Sequence, residues 1–582
     1  MTPRTVTKAL NLTASSEEGQ VLPLRSAALV MDLERLGTLQ PSRLSFMRTL
    51  VRRMAHESWR IHAERFELDE NGHGEAIYRI EAGSERYRFV VFSSALADDQ
   101  RNDRVISSQW DLTMALVQGD LSEDQLKSLR INVPLQEAGR VDDHVLVLSR
   151  ANRSSRSFQS VVQRLATGQQ PDVEGLKKVG YLCRTTAVYG SGKFGMADWQ
   201  VVQSTCRSFR TPFSAEMFAC YLLRHFSCEQ VEHIAKVLAP DRAVTIAPEI
   251  KRFIGIGNAT GLGMAPFLIK HPKLIAHWMM QRETALARVL SQTDCDDQKL
   301  NCLKAMVLQV IQHLRETTVD EAQQQERNEG LVMSLSHLTE ALEQPAFDAW
   351  LRSEGWSALQ SFVADRYGRD ADELVQVLLF EIYPELVDPL EESMAVDEDL
   401  DLEPHVPLSE CLALIRDHYD WALDIDFQQP DHRALFWYRS EEKMEPRLGD
   451  RFFEMGAEKE MPMSIAFAVR ACSDLMESYL SDFPDSLVVD FLMAFPDQLG
   501  IVRRIQSLSG LHYGDIRGNL SDKNLQPMHL LRAKLSFFGV GKFDPKSRLW
   551  VRNTMFQGAP LVDDVNCDRA EDSWYFPVAP VL

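Results

Sequence analysis

Two short glycine-rich segments in the middle of the chain hold the residues best suited to chemistry. The first runs Arg184-Thr185-Thr186-Ala187-Val188-Tyr189-Gly190-Ser191-Gly192-Lys193-Phe194-Gly195. Residues 183–189 read as a buried strand, and Gly190, Gly192 and Gly195 then allow a tight turn that exposes backbone amides. Lys193 within the turn, with Arg184 and Thr185 on the strand, adds charge and donors for an anionic oxygen. Arginine forks onto a carboxylate or phosphate, and lysine acts as a point charge. Tyr189, Lys193 and Asp198 are the candidate proton-transfer residues. The segment is not a Walker loop, which requires Ser or Thr after its lysine, whereas Phe194 follows Lys193. The competing reading is a glycine hairpin with a surface lysine.

The second segment is Phe253-Ile254-Gly255-Ile256-Gly257-Asn258-Ala259-Thr260-Gly261-Leu262-Gly263-Met264. Gly255, Gly257 and Gly261 come close to the dinucleotide-binding GxGxxG spacing, but the second gap is one residue too long. No βαβ series surrounds it, and no acidic residue ends a following strand, because residues 279–284 read as helix. A Rossmann site is therefore excluded. What remains is a glycine-rich stretch opening a helix, with Asn258 or Thr260 as cap and the amides of Gly257, Gly261 and Gly263 available to an anion. The competing reading is close packing of this backbone, which also needs glycine. Two such clusters in one region point toward backbone approaching a ligand, since glycine costs conformational entropy on folding.

Other constellations are missing. The chain has no HExxH, no GxSxG, no kinase signature set and no EF-hand loop. His225 and His233 do not stand at the i,i+3 or i,i+4 spacing of a metal pair. His271 and His277 flank a helix beginning at Pro272, and neither has a partner that the sequence can name. The nine cysteines are scattered without CxxC and read as reduced thiols. No metal site is expected, and the cofactor, if one is used, stays unknown.

The elements that must position these groups follow from periodicity. Residues 42–58 repeat apolar side chains at helical spacing. Residues 59–68, 75–82 and 85–93 alternate as strands, divided by Asn71-Gly72 and Gly83-Ser84, and predict a three-stranded meander. Residues 96–120 are expected to leave that sheet and enter a helix. From residue 214 onward the pattern is helical, most clearly at Leu300, Leu303, Met306, Val307, Val310 and Ile311 and again at Ile465, Val469, Cys472 and Met476. The fold class is mainly α with a small antiparallel β-sheet (α+β), in several domains. The expected divisions are a loose arm at 1–24, a helix with meander at 25–137 and a basic polar linker or flap at 138–175. A helical domain with the two glycine-rich loops follows at 176–387, then an exposed acidic linker at 388–407 and a C-terminal helical domain with a mixed tail at 408–582.

Composition bounds the function. The 582 residues are 45% hydrophobic and 25% charged, an ordinary globular balance. A net charge of −21 argues against a nucleic-acid backbone as main partner. No apolar run is long enough to span a bilayer, and no apolar core follows Arg4 and Lys8, so the expected location is cytoplasmic. The leading expectation is an enzyme acting on a small anionic metabolite or phosphate-bearing cofactor held by loops 190–195 and 255–263, its reaction class undetermined. The alternative is a non-catalytic helical scaffold or regulatory protein. Self-association into a homo-oligomer is left open.

Overall fold

Alternating apolar residues and turn glycines dictate the first strands. β1 (Arg60–Leu68), β2 (Gly74–Ala82) and β3 (Glu85–Ser93) form the expected antiparallel meander. Gly72 and Gly83 take the left-handed conformation that their hairpins require, with φ of +73° and +60°. The computed structural model describes residues 22–95, 110–135, 144–185, 195–196, 205–211, 213–261, 272–317, 319–394, 402–426, 428, 462–515, 527–547 and 550–581.

The sheet does not stop at three strands. β4 (Leu112–Gln118), β5 (Val145–Arg153), β6 (Tyr181–Thr185), β7 (Gly195–Met196), β8 (Gly255–Gly261), β9 (Lys542–Ser547) and β10 (Trp550–Met555) extend it to ten among the described residues. The order is β1-β2-β3-β4-β5-β6-β8-β10-β9, with β7 beside β5. Only β6 and β8 pair in parallel among the described strands. Such a pairing needs a long crossover. Helices α5 (Ser214–Leu238) and α6 (Pro248–Phe253) lie within it.

One face of the sheet carries Tyr78, Phe89, Val91, Met114 and Leu116 into the main core, against α5, which is buried almost all round. On the other face Val90, Phe92, Ala115, Val117 and Leu148 pack with Leu126, Leu129 and Val133 of α2 (Glu123–Leu135). The remaining helices that matter are α1 (Phe46–His56), α3 (Phe158–Ala166), α4 (Val173–Val179), α7 (Pro272–Leu290), α8 (Asp297–Glu316), α9 (Ala322–Leu342), α10 (Pro345–Ile382), α11 (Leu408–His418), α12 (Pro462–Asp482) and α13 (Pro527–Phe538). The helical stripes expected at 300–311 and 465–476 are α8 and α12, with those residues buried. No helix among the described residues is long and apolar enough to cross a membrane.

Several expectations are corrected. The sheet is large rather than small, because Leu112–Gln118, expected in a helix, is β4. Its continuous apolar run is buried on both faces, so the alternation that betrays a half-exposed strand is missing. Within 138–175, expected as a basic linker or flap, lie β5, α3 and the first residues of α4. Its arginines flank the apolar Val145-Leu146-Val147-Leu148 run that places β5 in mid-sheet. β9 and β10, which fall within 408–582, join the same sheet as β8.

The acidic segment at 388–407 was expected to be exposed. Its first part, Asp388–Met394, is a docked 3-10 turn with Leu390 and Met394 buried. Asp388 pairs with Arg43 at 2.6 Å, and Glu391 with Arg52 and Arg53, both at 3.3 Å. Arginines from the start of the chain neutralise carboxylates that, taken alone, would repel one another. Residues 1–21 lie outside the described residues, and beyond them the Leu22 amide donates to Ser291 Oγ at 2.9 Å.

Candidate functional site

Cross-strand partners share a face of a sheet, and residues alternate faces along a strand. Thr113 of β4 lies opposite Arg150 of β5, and Asn152, two residues on, lies opposite Arg184 of β6. Arg184 lies opposite Gly257 of β8. Thr113, Arg150, Asn152 and Arg184 therefore stand on one face, beside the apolar cluster under α2. Trp110 joins them, with the Arg150 guanidinium carbon 4.1 Å from its ring centroid. Trp110, Thr113, Asn152 and Arg184 are all at most 9% exposed.

Three polar atoms in this cluster are buried without a hydrogen-bond partner among the described residues: Trp110 Nε1, Thr113 Oγ1 and Asn152 Nδ2. Asn152 Oδ1 accepts from the Asp111 amide at 3.0 Å. A backbone N–H can only donate, so this contact fixes the amide and leaves Nδ2 as a donor. An unmet buried polar group costs about 1–3 kcal/mol. Three grouped beside two arginines form a surface suited to accepting an anion's oxygens.

The same face continues across β10 and β9. Arg552 lies opposite Ala259 on one side and Asp544 on the other. Asp544 is 1% exposed, pairs with Lys546 at 2.5 Å, and has no partner for Oδ1 among the described residues. Burial raises its carboxyl pKa, against the opposing charges of Lys546, Lys542 and Arg552. Burial also pushes Lys542 down to about 8, against the pull of Asp544 and with help from Lys546 and Arg552. Lys542 Nζ donates to the carbonyl of Lys177 at the end of α4. Burial thus raises a carboxyl and lowers an amine on one strand, shifts that bring an acid and a base closer in proton affinity.

The residues singled out from sequence are divided by the structure. Tyr189, Gly190, Gly192, Lys193, Asp198, Gly263 and His271 lie outside the described residues. Arg184 stands on the polar face. Gly195 pairs with Leu148 of β5. Thr185 turns to the opposite face, where its hydroxyl lies 3.2 Å from Ser149 Oγ. Asn258 Nδ2 donates to the Thr185 carbonyl at 3.3 Å. Gly257 alternates with Asn258 and so shares the face of Arg184.

The second glycine-rich segment does not open a helix up to Gly261, because Gly255–Gly261 is strand β8. Thr260 and Gly261 pair with Val551 and Trp550 of β10. Gly257 lies between β6 and β10, and its backbone belongs to the ladders on both sides. A Cβ on Gly257 would sit 2.7 Å from the Tyr181 ring, and one on Gly255 would sit 2.5 Å from Thr554 Cγ2. These two glycines admit neighbouring side chains. His277 is described and half-buried, and burial lowers its pKa against a hydrogen bond that its ring donates to the Ser393 carbonyl.

Sequence reasoning missed Trp110, Thr113, Asn152, Arg552 and Asp544. One usable signal was the strand alternation Lys542-x-Asp544-x-Lys546, which puts three charges on one face. Among the described residues no group of three or more His, Cys, Asp or Glu is placed to hold a metal. The chain matches no protein-family model, no curated protein and no solved structure.

Proposed function

We propose that this protein is an enzyme acting on a small anionic metabolite, bound on the sheet face that carries Arg150, Asn152 and Arg184. The observation that carries the reading is the trio of buried polar atoms Trp110 Nε1, Thr113 Oγ1 and Asn152 Nδ2, which have no hydrogen-bond partner among the described residues. The arginines supply charge, and Asn152 and Trp110 supply neutral donors. Asp544 and Lys542, with the tuned ionisation described above, are the proton-transfer candidates on the same face, with Tyr189, Lys193 and Asp198 as further candidates from sequence.

The alternative, a non-catalytic scaffold, is favoured by one observation. Gly255 and Gly257 give their space to Thr554 and Tyr181 rather than to a cleft.

A thermal-shift screen with mono- and dicarboxylates, sugar phosphates and nucleotides separates the two, because a ligand that binds only the folded state raises the Tm. The enzyme reading expects at least one anion to protect the wild type, and Arg184→Gln and Asn152→Leu to lose that protection while remaining folded. Protection that survives both substitutions, or none from any anion, supports the scaffold.

A further inference from the structure

A polar cavity lies where α8, α9 and α13 meet the segment around Gln40 and the start of β9. Its volume is about 60 Å³, and its lining includes no Asp or Glu among the described residues. At roughly 10–15 Å³ for each water-sized occupant, it has room for a handful of waters or one small solute.

Among the described residues one cation faces it. Arg532 of α13 donates from Nη1 to Gln324 Oε1 at 3.2 Å and lies 5.8 Å from the Phe543 ring centroid. It forms no ion pair among the described residues. Asp370, the carboxylate that acts on it from a distance, is already held by Arg327 at 2.7 Å. Burial, with the charge of Arg327 added and Asp370 opposing, pushes Arg532 down to about 10.

The neighbouring amides are oriented by this arginine. Arg532 can only donate, so Gln324 must present its oxygen to it and its nitrogen to Asn328. Gln324 Nε2 indeed donates to Asn328 Oδ1 at 2.8 Å. That contact leaves the Asn328 amide nitrogen as a donor. Gln40 is 8% exposed, and its Nε2 has no partner among the described residues. The cavity thus gathers one guanidinium and two amide donors between apolar walls that include Leu331, Leu535 and Phe543.

We propose that this cavity is a binding site for a small monocarboxylate with a short apolar tail, separate from the sheet-face site. One negative charge balances Arg532, whereas a phosphate dianion would leave a buried excess charge. The amide donors meet the second carboxylate oxygen, and the tail lies against the leucines.

Calorimetric titration of the full chain with butyrate tests this, with inorganic phosphate and butanol as comparison arms. Saturable butyrate binding is expected in the wild type. Arg532→Gln is expected to weaken it at least tenfold and Gln40→Leu several-fold. Arg184→Gln, on the sheet face, is expected to leave it unchanged. Should Arg532→Gln not fold, Gln40→Leu and Asn328→Leu carry the test. Absence of butyrate binding, equal binding by butanol, tighter binding of phosphate, undiminished binding in the cavity variants, or loss in Arg184→Gln would each overturn the assignment. The last outcome would place the butyrate on the sheet face and leave the proposed function standing.

Discussion

Arg184 and Gly257 are neighbours across the sheet's parallel pairing, and the Tyr181 ring occupies the space that a side chain at position 257 would need. The two glycine-rich segments therefore meet through their strands. The meeting serves packing at Gly257 and leaves Arg184 on a polar face.

Gly257→Ala places a methyl group where the ring now lies, 2.7 Å from it. Overpacking of this kind costs about 1–3 kcal/mol. Urea unfolding should show that loss, and the double variant with Tyr181→Ala should recover part of it relative to the sum of the single changes. Additive effects would mean that the ring is not the obstacle.

Thr113→Val replaces a buried hydroxyl, without a partner among the described residues, with a methyl of similar shape. The unliganded protein should become no less stable, and by up to roughly 1–3 kcal/mol more stable, because an unmet polar group is removed. Protection by the anionic ligand should weaken in the same variant. A destabilised Thr113→Val protein would show that the hydroxyl is satisfied in solution.

Glu216, near the start of α5, is 1% exposed, and Oε1 has no partner among the described residues. Burial pushes its carboxyl up to about 7 from an ordinary 4.5, with a hydrogen bond to its own backbone partly opposing. The folded state thus keeps a proton that the unfolded chain releases. This contribution to stability is full below about 4.5 and is lost as pH rises through about 7. The loss is of the order of 3 kcal/mol. Glu216→Gln should flatten that part of the stability–pH profile and be the more stable protein above pH 7. Parallel profiles for the two proteins would refute the assignment.

Arg282 is 1% exposed at its side chain and bridges Glu283, at 2.9 Å, to Glu373. Arg25 holds Glu283 from the other side at 2.6 Å, and Arg35 holds Glu373 at 2.8 Å. Burial would raise the Glu283 pKa, but the hydrogen bond from Arg25 and the charges of Arg25, Arg282 and Arg35 outweigh it and hold the carboxyl below its usual range. Its stabilising contribution is present above the ordinary carboxylate pKa and is lost as pH falls through the depressed value. Arg282→Met should cost about 3–5 kcal/mol in denaturant unfolding at neutral pH, since two buried carboxylates lose a shared partner. A cost below about 1 kcal/mol would mean that the network relaxes around the gap.

Local pattern made the meander and the helical stripes legible. Asn71-Gly72 and Gly83-Ser84 are turn signals between alternating strands, and Leu300 to Ile311 repeats at helical spacing. Arg184 was legible as a donor by type and by its place beside glycines. Thr113, Asn152 and Trp110 were not, because each is an ordinary residue whose importance comes from who stands opposite it. The acidic residues at 388–391 misled for the same reason, their arginine partners being more than three hundred positions away.

The amino-acid sequence by itself determined the alternation of strands, the amphipathic helices, the acidic charge and the presence of donors near residue 184. Only the tertiary structure decided that β9 and β10 close onto β8, that Gly257 yields its space to Tyr181, and that one sheet face gathers arginines and unmet donors. Periodicity is a property of neighbours along the chain, whereas register across a sheet and pairing of buried charges are settled by residues that meet only after the chain has folded.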